Sequence, residues 1–317
     1  MLTYGELKTE AAVLAQRSGD ADYVAKIGSW IKFSHSLLAE VYDYWFDLQD
    51  TYNFTTVDGQ EAYSLPNRFD KPFRLYDLTN KNKITPQTEE EYSEDNLGNI
   101  VDATEGVPSK YRIYGTTGVS TPISTSGDTV QVKSSSTSDS GGIVVRIGGY
   151  VDSSLLIEDY EDITINTGSP TTYTAGTKTF YKITSASKSD ATTGYITIAN
   201  SSSTALDTLA PQERVSRHKV LRLGLIPDDA YSMRLLFKKT VKPLDDDNDY
   251  PFTECDRYLV TDAAGFALAQ DKDNARAEQM FKEAERSLKY LLANQNNKLG
   301  PDYIQKIVST WAQAHRL

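Results

Sequence analysis

The sequence has one cysteine, three histidines, and no apolar run approaching the ~18 residues that a membrane-spanning helix needs. A lone Cys255 leaves no disulfide framework and no zinc site built from cysteine clusters. His35, His218 and His315 fall in separate segments, and none stands in an H-E-x-x-H or H-x-H pattern. A Gly-x-Ser-x-Gly elbow and a Gly-rich phosphate loop ending in Lys-Ser/Thr are also missing, so acyl transfer and nucleotide hydrolysis lose their usual signatures. Basic residues are in deficit, with Lys+Arg 33 against Asp+Glu 44 and a formal net charge of -11. Phosphate neutralisation needs clustered Lys and Arg, which argues against nucleic-acid binding as the main task. The start, Met1-Leu2-Thr3-Tyr4-Gly5-Glu6, has neither a basic nor an apolar leader region. A soluble protein made without a signal peptide is expected, and the sequons at Asn53 and Asn200 then carry no glycosylation meaning.

A length of 317 residues allows two domains, and 39% hydrophobic residues are enough for real cores. Composition divides the chain into three zones. Between about Thr116 and His218, Ser and Thr make up roughly a third of the residues, and all three tryptophans lie outside this stretch. Short alternating runs recur there: Thr129–Val132, Ile143–Ile147, Ile163–Ile165, Thr179–Ile183 and Tyr195–Ile198. Each is rich in β-branched or aromatic residues and bounded by Gly, Ser, Asp or Asn, the pattern of an immunoglobulin-like β-sandwich rather than of a Ser/Thr linker.

The flanks carry helical signals. Thr3-x-x-Glu6 is a capping box opening a helix through about Ser18. A longer helix from Asp20 or Asp22 places Tyr23, Ile27, Trp30, Ile31, Leu38, Val41 and Trp45 on one apolar stripe. Tyr52–Pro66 reads as a β-hairpin about Asp58-Gly59. Phe73–Leu78 reads as a further strand, and Thr88-Glu89-Glu90-Glu91-Tyr92 as a capped helix start. Val220–Leu223 and Ser232–Phe237 read as strands flanking Ile226-Pro227-Asp228-Asp229. Helices follow from about Thr253 and from Asn274 to about Asn297, and Gly300-Pro301 separates a last amphipathic segment carrying Ile304, Ile307, Val308 and Trp311. Lys110–Tyr114 and the strand from Val220 would be neighbours if the middle zone were removed, since an insertion is tolerated where chain ends lie close. The expected fold class is α+β. Residues 1–115 and 219–317 form a discontinuous helical-bundle core with a small β-region, ending in an arm of about 300–317. Residues 116–218 form the inserted Ig-like sandwich.

Candidates for chemistry are few. His35 falls near Trp30 and Leu38, where a packing or surface role outweighs ligation. Two flanking acids, Glu254 and Asp256, would raise rather than lower the Cys255 pKa, so a small semi-buried residue is the plain reading. Asp245-Asp246-Asp247-Asn248-Asp249 has oxygen ligands at alternate positions but lacks the glycine and distal glutamate of an EF-hand, and reads as a solvated loop. No acid pair stands out for glycoside hydrolysis. No catalytic residue, cofactor or metal is assigned, and the protein is not expected to be an enzyme.

The order of helix, long Trp-bearing helix, Ala62-Tyr63-Ser64-Leu65-Pro66, strand, then Val107-Pro108-Ser109-Lys110-Tyr111-Arg112-Ile113-Tyr114 resembles the head-to-tail adaptor proteins of tailed bacteriophages. Leu225–Asp229, Phe237-Lys238-Lys239, Pro243-Leu244, the Asp249-Tyr250-Pro251 turn and Tyr258–Ala264 add to the likeness, which covers everything except the inserted zone. Among these, the chain resembles the tubular adaptor of short-tailed phages. This resemblance implies a virion protein made in the host cytoplasm and placed in the head-tail neck. It implies a homo-oligomeric ring, usually a dodecamer, that joins the portal protein to the tail nozzle or tail tube and through which DNA passes without specific binding. Its C-terminal arm would dock on the portal or on a neighbouring subunit through Ile304, Ile307, Val308 and Trp311. A net charge of -11 suits a conduit that must let DNA slide. Two other readings stand beside this one. The inserted zone could be a binding module for host glycan, capsid or fibres, motivated by Tyr173, Phe180, Tyr181 and Tyr195, or the chain could be a virion cell-wall hydrolase.

Overall fold

The computed structural model describes residues 1–88, 90–91, 105–139, 141–166 and 168–295. The protein is α+β, and the described chain divides into two compact units: Met1–Asp50 with the chain from Lys238, and Thr51–Phe237. The expected borders at Gly115 and Lys219 fall inside the second unit.

The first unit is helical. Helix α1 (Tyr4–Leu14) opens on the capping box read from sequence: Glu6 N–H donates to Thr3 Oγ1 at 3.2 Å and Thr3 N–H donates to Glu6 Oε2 at 2.8 Å. Helix α2 (Ala21–Val41) is capped by Asp20, whose carboxylate accepts from Tyr23 N–H. Helices α3 (Asp256–Gln270) and α4 (Asn274–Gln295) follow. Leu7, Ile27, Ile31, Leu38, Tyr258 and Leu288 meet in one apolar core. Gly265 of α3 lets the Phe281 ring lie against the helix, since a Cβ there would come within 2.6 Å of it.

Two helix ends differ from expectation. Helix α1 stops at Leu14, and α2 stops at Val41, so Trp45 lies past its end rather than on its stripe. The Trp45 side chain is fully buried and turns back, its indole N–H donating to Leu38 O at 3.0 Å. It thereby satisfies a carbonyl that the ending helix leaves without an intrahelical partner. The buried Lys238 ammonium donates to Ala39 O in the same last turn and pairs with Asp43. The acidic loop has a structural task as well. Asp249 accepts from the backbone N–H groups of Asp245 and Asp246, and the Asp247 carbonyl accepts from Gly5 N–H at the start of α1.

The second unit contains a seven-stranded sheet of order β1-β15-β3-β4-β5-β14-β2. Its strands are β1 (Gln49–Thr55), β2 (Ala62–Ser64), β3 (Phe69–Asp77), β4 (Asn82–Pro86), β5 (Lys110–Thr117), β14 (His218–Leu223) and β15 (Ser232–Lys239). The β5–β14 pair is antiparallel, with Leu221 opposite Ile113 and Leu223 opposite Tyr111. The hairpin expected at Tyr52–Pro66 does not form, because its arms lie at opposite edges of the sheet. Asp58-Gly59 does make a turn, with Gly59 at φ +75, but Gly59 N–H donates to Pro227 O and the Tyr63 hydroxyl donates to Gln60 O. The partner strand for β2 is β14, with Leu221 opposite Tyr63, and long-range pairing overrides the local signal.

Residues 128–216 supply two four-stranded sheets, β13-β10-β7-β8 and β12-β11-β6-β9. The strands are β6 (Asp128–Ser134), β7 (Val144–Tyr150), β8 (Glu158–Thr164), β9 (Thr174–Phe180), β10 (Lys182–Lys188), β11 (Ile196–Asn200), β12 (Ala205–Leu209) and β13 (Val215–Ser216). One core is built from both, including Val130, Val132, Ile147, Phe180, Ile183 and Ile198. The run Thr179–Ile183, read as a single strand, is divided. Phe180 ends β9 in one sheet and Lys182 begins β10 in the other, while Tyr181 N–H donates to Tyr150 O between them.

The return from these sheets into β14 is clamped at His218. Its Nδ1 lies 2.7 Å from Leu65 O, its Nε2 lies 2.9 Å from Asp207 Oδ2, and all three side-chain members of the Ser216, His218 and Asp207 cluster are buried. On the entry side, Gly118 N–H and the Thr117 hydroxyl both donate to Ile183 O. A Cβ on Gly118 would lie 2.4 Å from the Ser185 backbone nitrogen, so Gly118→Ala should cost about 2–3 kcal/mol by overpacking against main chain that cannot give way. Denaturant unfolding of the second unit measures this, and an unchanged midpoint would contradict the close approach.

The two buried histidines predict opposite pH behaviour. Burial lowers the His35 pKa from 6.5 to about 4, and its Nε2 accepts from Phe252 N–H, which requires the neutral ring. A neutral His35 is therefore a liability in acid. As pH falls from 6.5 towards 4 the unfolded chain takes up a proton that the fold refuses, removing on the order of 3 kcal/mol from the first unit. For His218, burial pulls the pKa down, but the hydrogen bond and charge of Asp207, with the Leu65 carbonyl and Glu213, outweigh it and the net shift is upward. Its stabilisation is complete below the unfolded value of 6.5 and is lost as pH rises through the raised folded value. Thermal melts of His35→Gln should lose the parent's acid penalty, and melts of His218→Gln should lose its gain on acidification. Variants that track the parent at every pH would contradict both assignments.

Candidate interaction surfaces

The buried Ser216, His218 and Asp207 cluster holds the residue types of a nucleophilic triad in an arrangement that cannot work as one. Serine and carboxylate converge on the same ring nitrogen: Ser216 Oγ lies 3.1 Å from His218 Nε2, and Asp207 Oδ2 lies 2.9 Å from it. Both ring nitrogens therefore face acceptors, Leu65 O and Asp207, and the doubly protonated ring satisfies both at once. An imidazolium has no lone pair with which to deprotonate a hydroxyl, and the Ser216 hydroxyl is already committed to Asp207. Asp207 follows the same logic. Burial raises its pKa, yet the hydrogen bonds from His218 and Ser216 and the charge of His218 bring it below the ordinary value. The cluster is an ion-pair clamp.

The remaining candidates resolve similarly. Cys255 is buried, and burial followed by the Asp256 charge pushes its thiol pKa up, so it stays protonated and unreactive. His35 packs against Phe252, ring centroids 5.1 Å apart. Thr88 and Glu91 form the reciprocal hydrogen bonds of a capping box, so acidity there belongs to a helix start. No group of three or more His, Cys, Asp or Glu that could hold a metal occurs among the described residues, and none of the described helices is long and apolar enough to cross a membrane. Ile304, Ile307, Val308, Trp311 and His315 lie outside the described residues.

What the helical unit does offer is exposed apolar surface. Phe33 of α2 is 51% exposed, and it stacks edge-on with Phe266, which stacks edge-on with Phe281, at centroid separations of 6.0 and 5.3 Å. Phe33 lies off the buried stripe of α2, which is why periodicity passed over it. A separate groove of about 940 Å³ runs beside α4, walled by Phe46, Tyr290 and Leu291 and edged by Arg257, Glu283 and Arg286. Phe46 and Tyr290 are 62% and 69% exposed. In the second unit the tip Leu155-Leu156-Ile157 projects between β7 and β8, with Leu156 82% exposed. Asp152 fixes this tip by accepting from the N–H groups of Ser154, Leu156 and Ile157. Contiguous exposed apolar patches mark contact surfaces, whereas singly exposed apolar residues are ordinary.

The aromatic set Tyr173, Phe180, Tyr181 and Tyr195 does not present one face. Phe180 is core, Tyr173 and Tyr181 are half-buried, and only Tyr195 is exposed. Lys133 covers the Tyr173 ring at 4.3 Å. Nothing in the sequence marked Phe46, Tyr290 or the Leu155–Ile157 tip, because exposure of an apolar residue depends on what the rest of the chain leaves uncovered.

No curated protein matches the chain. The resemblance read from the order of its segments is supported by a match of residues 2–139 to the family model described as SU10 adaptor protein. That stretch takes in α1, α2, strands β1 to β5 and the first strand of the Ser/Thr-rich zone. From Leu2 to Asp139 the chain thus carries the sequence pattern of the SU10 adaptor protein family, consistent with a head-to-tail adaptor of bacteriophages.

Proposed function

We propose that the protein is a structural virion component whose copies close into a ring, of twelve in the manner of the adaptors it resembles, between the portal protein and the tail nozzle or tail tube. The observation that carries this reading is the adaptor family match over residues 2–139. The helical unit supports it with the exposed Phe33, whose ring leads through the half-buried Phe266 to Phe281, an apolar group suited to the flank of a second copy. In this reading residues 116–218 are an Ig-like domain inserted into a core formed by residues 1–115 and 219–317. Its exposed Leu155–Ile157 tip faces a further neck or tail component. The arm of about 300–317 docks on the portal or a neighbouring subunit through Ile304, Ile307, Val308 and Trp311. DNA passes the acidic subunits without a specific site, and catalysis has no part in the function.

Native mass measurement of the purified protein across a concentration series, alone and with portal rings, tests the assembly. A closed multiple of the 35.3 kDa subunit is expected. Phe33→Asp should abolish it while leaving the helical unit folded, because Phe33 is half outside the core. A chain that stays monomeric throughout and ignores portal rings would overturn the reading. Deleting residues 116–218 and joining the flanking strands should leave ring formation intact, and collapse of assembly would show that the insertion belongs to the ring.

A further inference from the structure

Strand β2 ends the seven-stranded sheet, and its pairing with β14 fixes which of its backbone groups are spent. Leu65 N–H donates to Lys219 O and Leu223 N–H donates to Glu61 O, so Glu61, Tyr63 and Leu65 turn their backbone groups towards β14. Ala62 and Ser64 turn theirs the other way. The Ala62 carbonyl accepts from Gln60 Nε2, but Ala62 N–H and both backbone groups of Ser64 have no hydrogen-bond partner among the described residues. An edge left in this state is a template for a further strand.

Beside that edge lies a cavity of about 350 Å³ between the sheet and the turn from β9 to β10. Tyr63, Leu221 and Leu223 face the sheet core, which by alternation puts Ala62, Ser64, Val220 and Arg222 on the opposite face, and these four line the cavity with Tyr114. Val119, Ile123, Leu155 and Ile183 form the other wall. No Asp or Glu lines the cavity, whereas Lys182 and Arg222 do, in a chain of net charge -11. Arg222 is poorly served by its surroundings. It stands directly opposite Arg112 in the β5–β14 pair, an arrangement of like charges that is destabilising. The two guanidiniums share the Tyr114 ring, at 4.5 Å for Arg112 and 5.0 Å for Arg222. Glu61 pairs with Arg222 only at 3.9 Å, and the buried Arg222 Nε has no hydrogen-bond partner among the described residues. A carboxylate is the group that a guanidinium fork fits.

We infer that the edge and the cavity together dock an extended, carboxylate-bearing segment of a partner protein, which adds to β2 as a further strand. A strand laid against Ala62 and Ser64 places the residues opposite them on the cavity face and turns the residue between them away. The residue beside Ala62 approaches Arg222, the cross-strand neighbour of Ala62, and is Asp or Glu. The residue beside Ser64, whose hydroxyl lies 3.4 Å from Val119 O, enters the apolar part and is a large aliphatic or aromatic group. Charge complementarity favours a partner over a second copy. Acids on the exposed strand β8 are committed within their own chain: Asp159 pairs with Lys178, Asp162 pairs with Arg146, and Glu161 accepts from the Thr177 and Lys178 N–H groups. The inference does not rest on ring formation, since it concerns one surface of the second unit.

A ribosome-displayed library of random nonapeptides, selected on the full-length protein, tests it. Enriched peptides should carry Asp or Glu two residues from a large apolar side chain. A fluorescein-labelled member should bind Arg222→Ala and Ser64→Pro about tenfold or more weakly than the parent. Proline is tolerated on a sheet edge, and at this position it removes an N–H that has no partner, so the fold should persist. Ser64→Ala, which keeps that N–H, should bind as the parent does. N-methylation of alternate peptide amides should abolish binding in one phase of the alternation and spare it in the other, a result that needs no protein variant. A peptide indifferent to Ser64→Pro, or weakened equally in both phases, would overturn strand addition. Enrichment of basic peptides would overturn the charge assignment, and no enrichment would show that the edge has no seat for a peptide. A change in the protein's own oligomeric mass on Ser64→Pro would assign the edge to a second copy. Each of these results overturns the inference, while Phe33→Asp tests the ring separately.

Discussion

The antiparallel pair of β5 and β14 is the constraint on which the second unit depends. It joins two stretches of chain separated by about a hundred residues, and closing a loop of that length costs on the order of 4 kcal/mol of chain entropy. Leu221 opposite Ile113 and Leu223 opposite Tyr111 recover this through the sheet core, and the two strands of the closure are secured where the chain leaves and returns. Gly118 and Thr117 hold the exit to Ile183 O, and His218 holds the return to Leu65 O and Asp207. Because the clamp at His218 is charged and buried, breaking one member leaves the other unpaired in a low-dielectric setting, which is more costly than never having built the pair.

Much of this was legible in the sequence, and the exceptions have definite causes. Capping at Thr3 and Asp20 is local chemistry between residues three apart, so the sequence shows it directly. Alternation in the Ser/Thr-rich zone marks strands because each has one buried face. It cannot mark which sheet a strand joins, and so Thr179–Ile183 looked continuous although the chain changes sheets at Tyr181. Asp58-Gly59 makes a turn but no hairpin, since the pairing of β2 is decided by β14, far away in sequence. Trp45 continued the apolar periodicity of α2 because it packs in the same core, but it does so from beyond the helix end and as a donor to Leu38 O. Interaction surfaces were the least legible. Phe33, Phe46, Tyr290 and Leu155–Ile157 have no spacing that distinguishes them, and their exposure is a property of the completed fold.

Four polar or reactive sites in the described interior are committed to structure. His35 accepts a backbone hydrogen bond, Cys255 is sealed as a thiol, Lys238 satisfies a helix end, and the Ser, His and Asp cluster is an ion pair with its serine occupied. By contrast, the exposed aromatic and aliphatic groups sit on rigid helices and on a loop fixed by Asp152. These surfaces accompany the adaptor family pattern over residues 2–139.

The central claim is that this chain is a head-to-tail adaptor, and electron cryo-microscopy of the virion neck tests it most directly. The account predicts copies of the helical unit arranged about a central channel next to the portal. The Phe33 flank should be buried between neighbouring copies, and the density of residues 116–218 should be separable from the ring. A neck in which this chain is missing, or present as single copies with the Phe33 flank open to solvent, would contradict it.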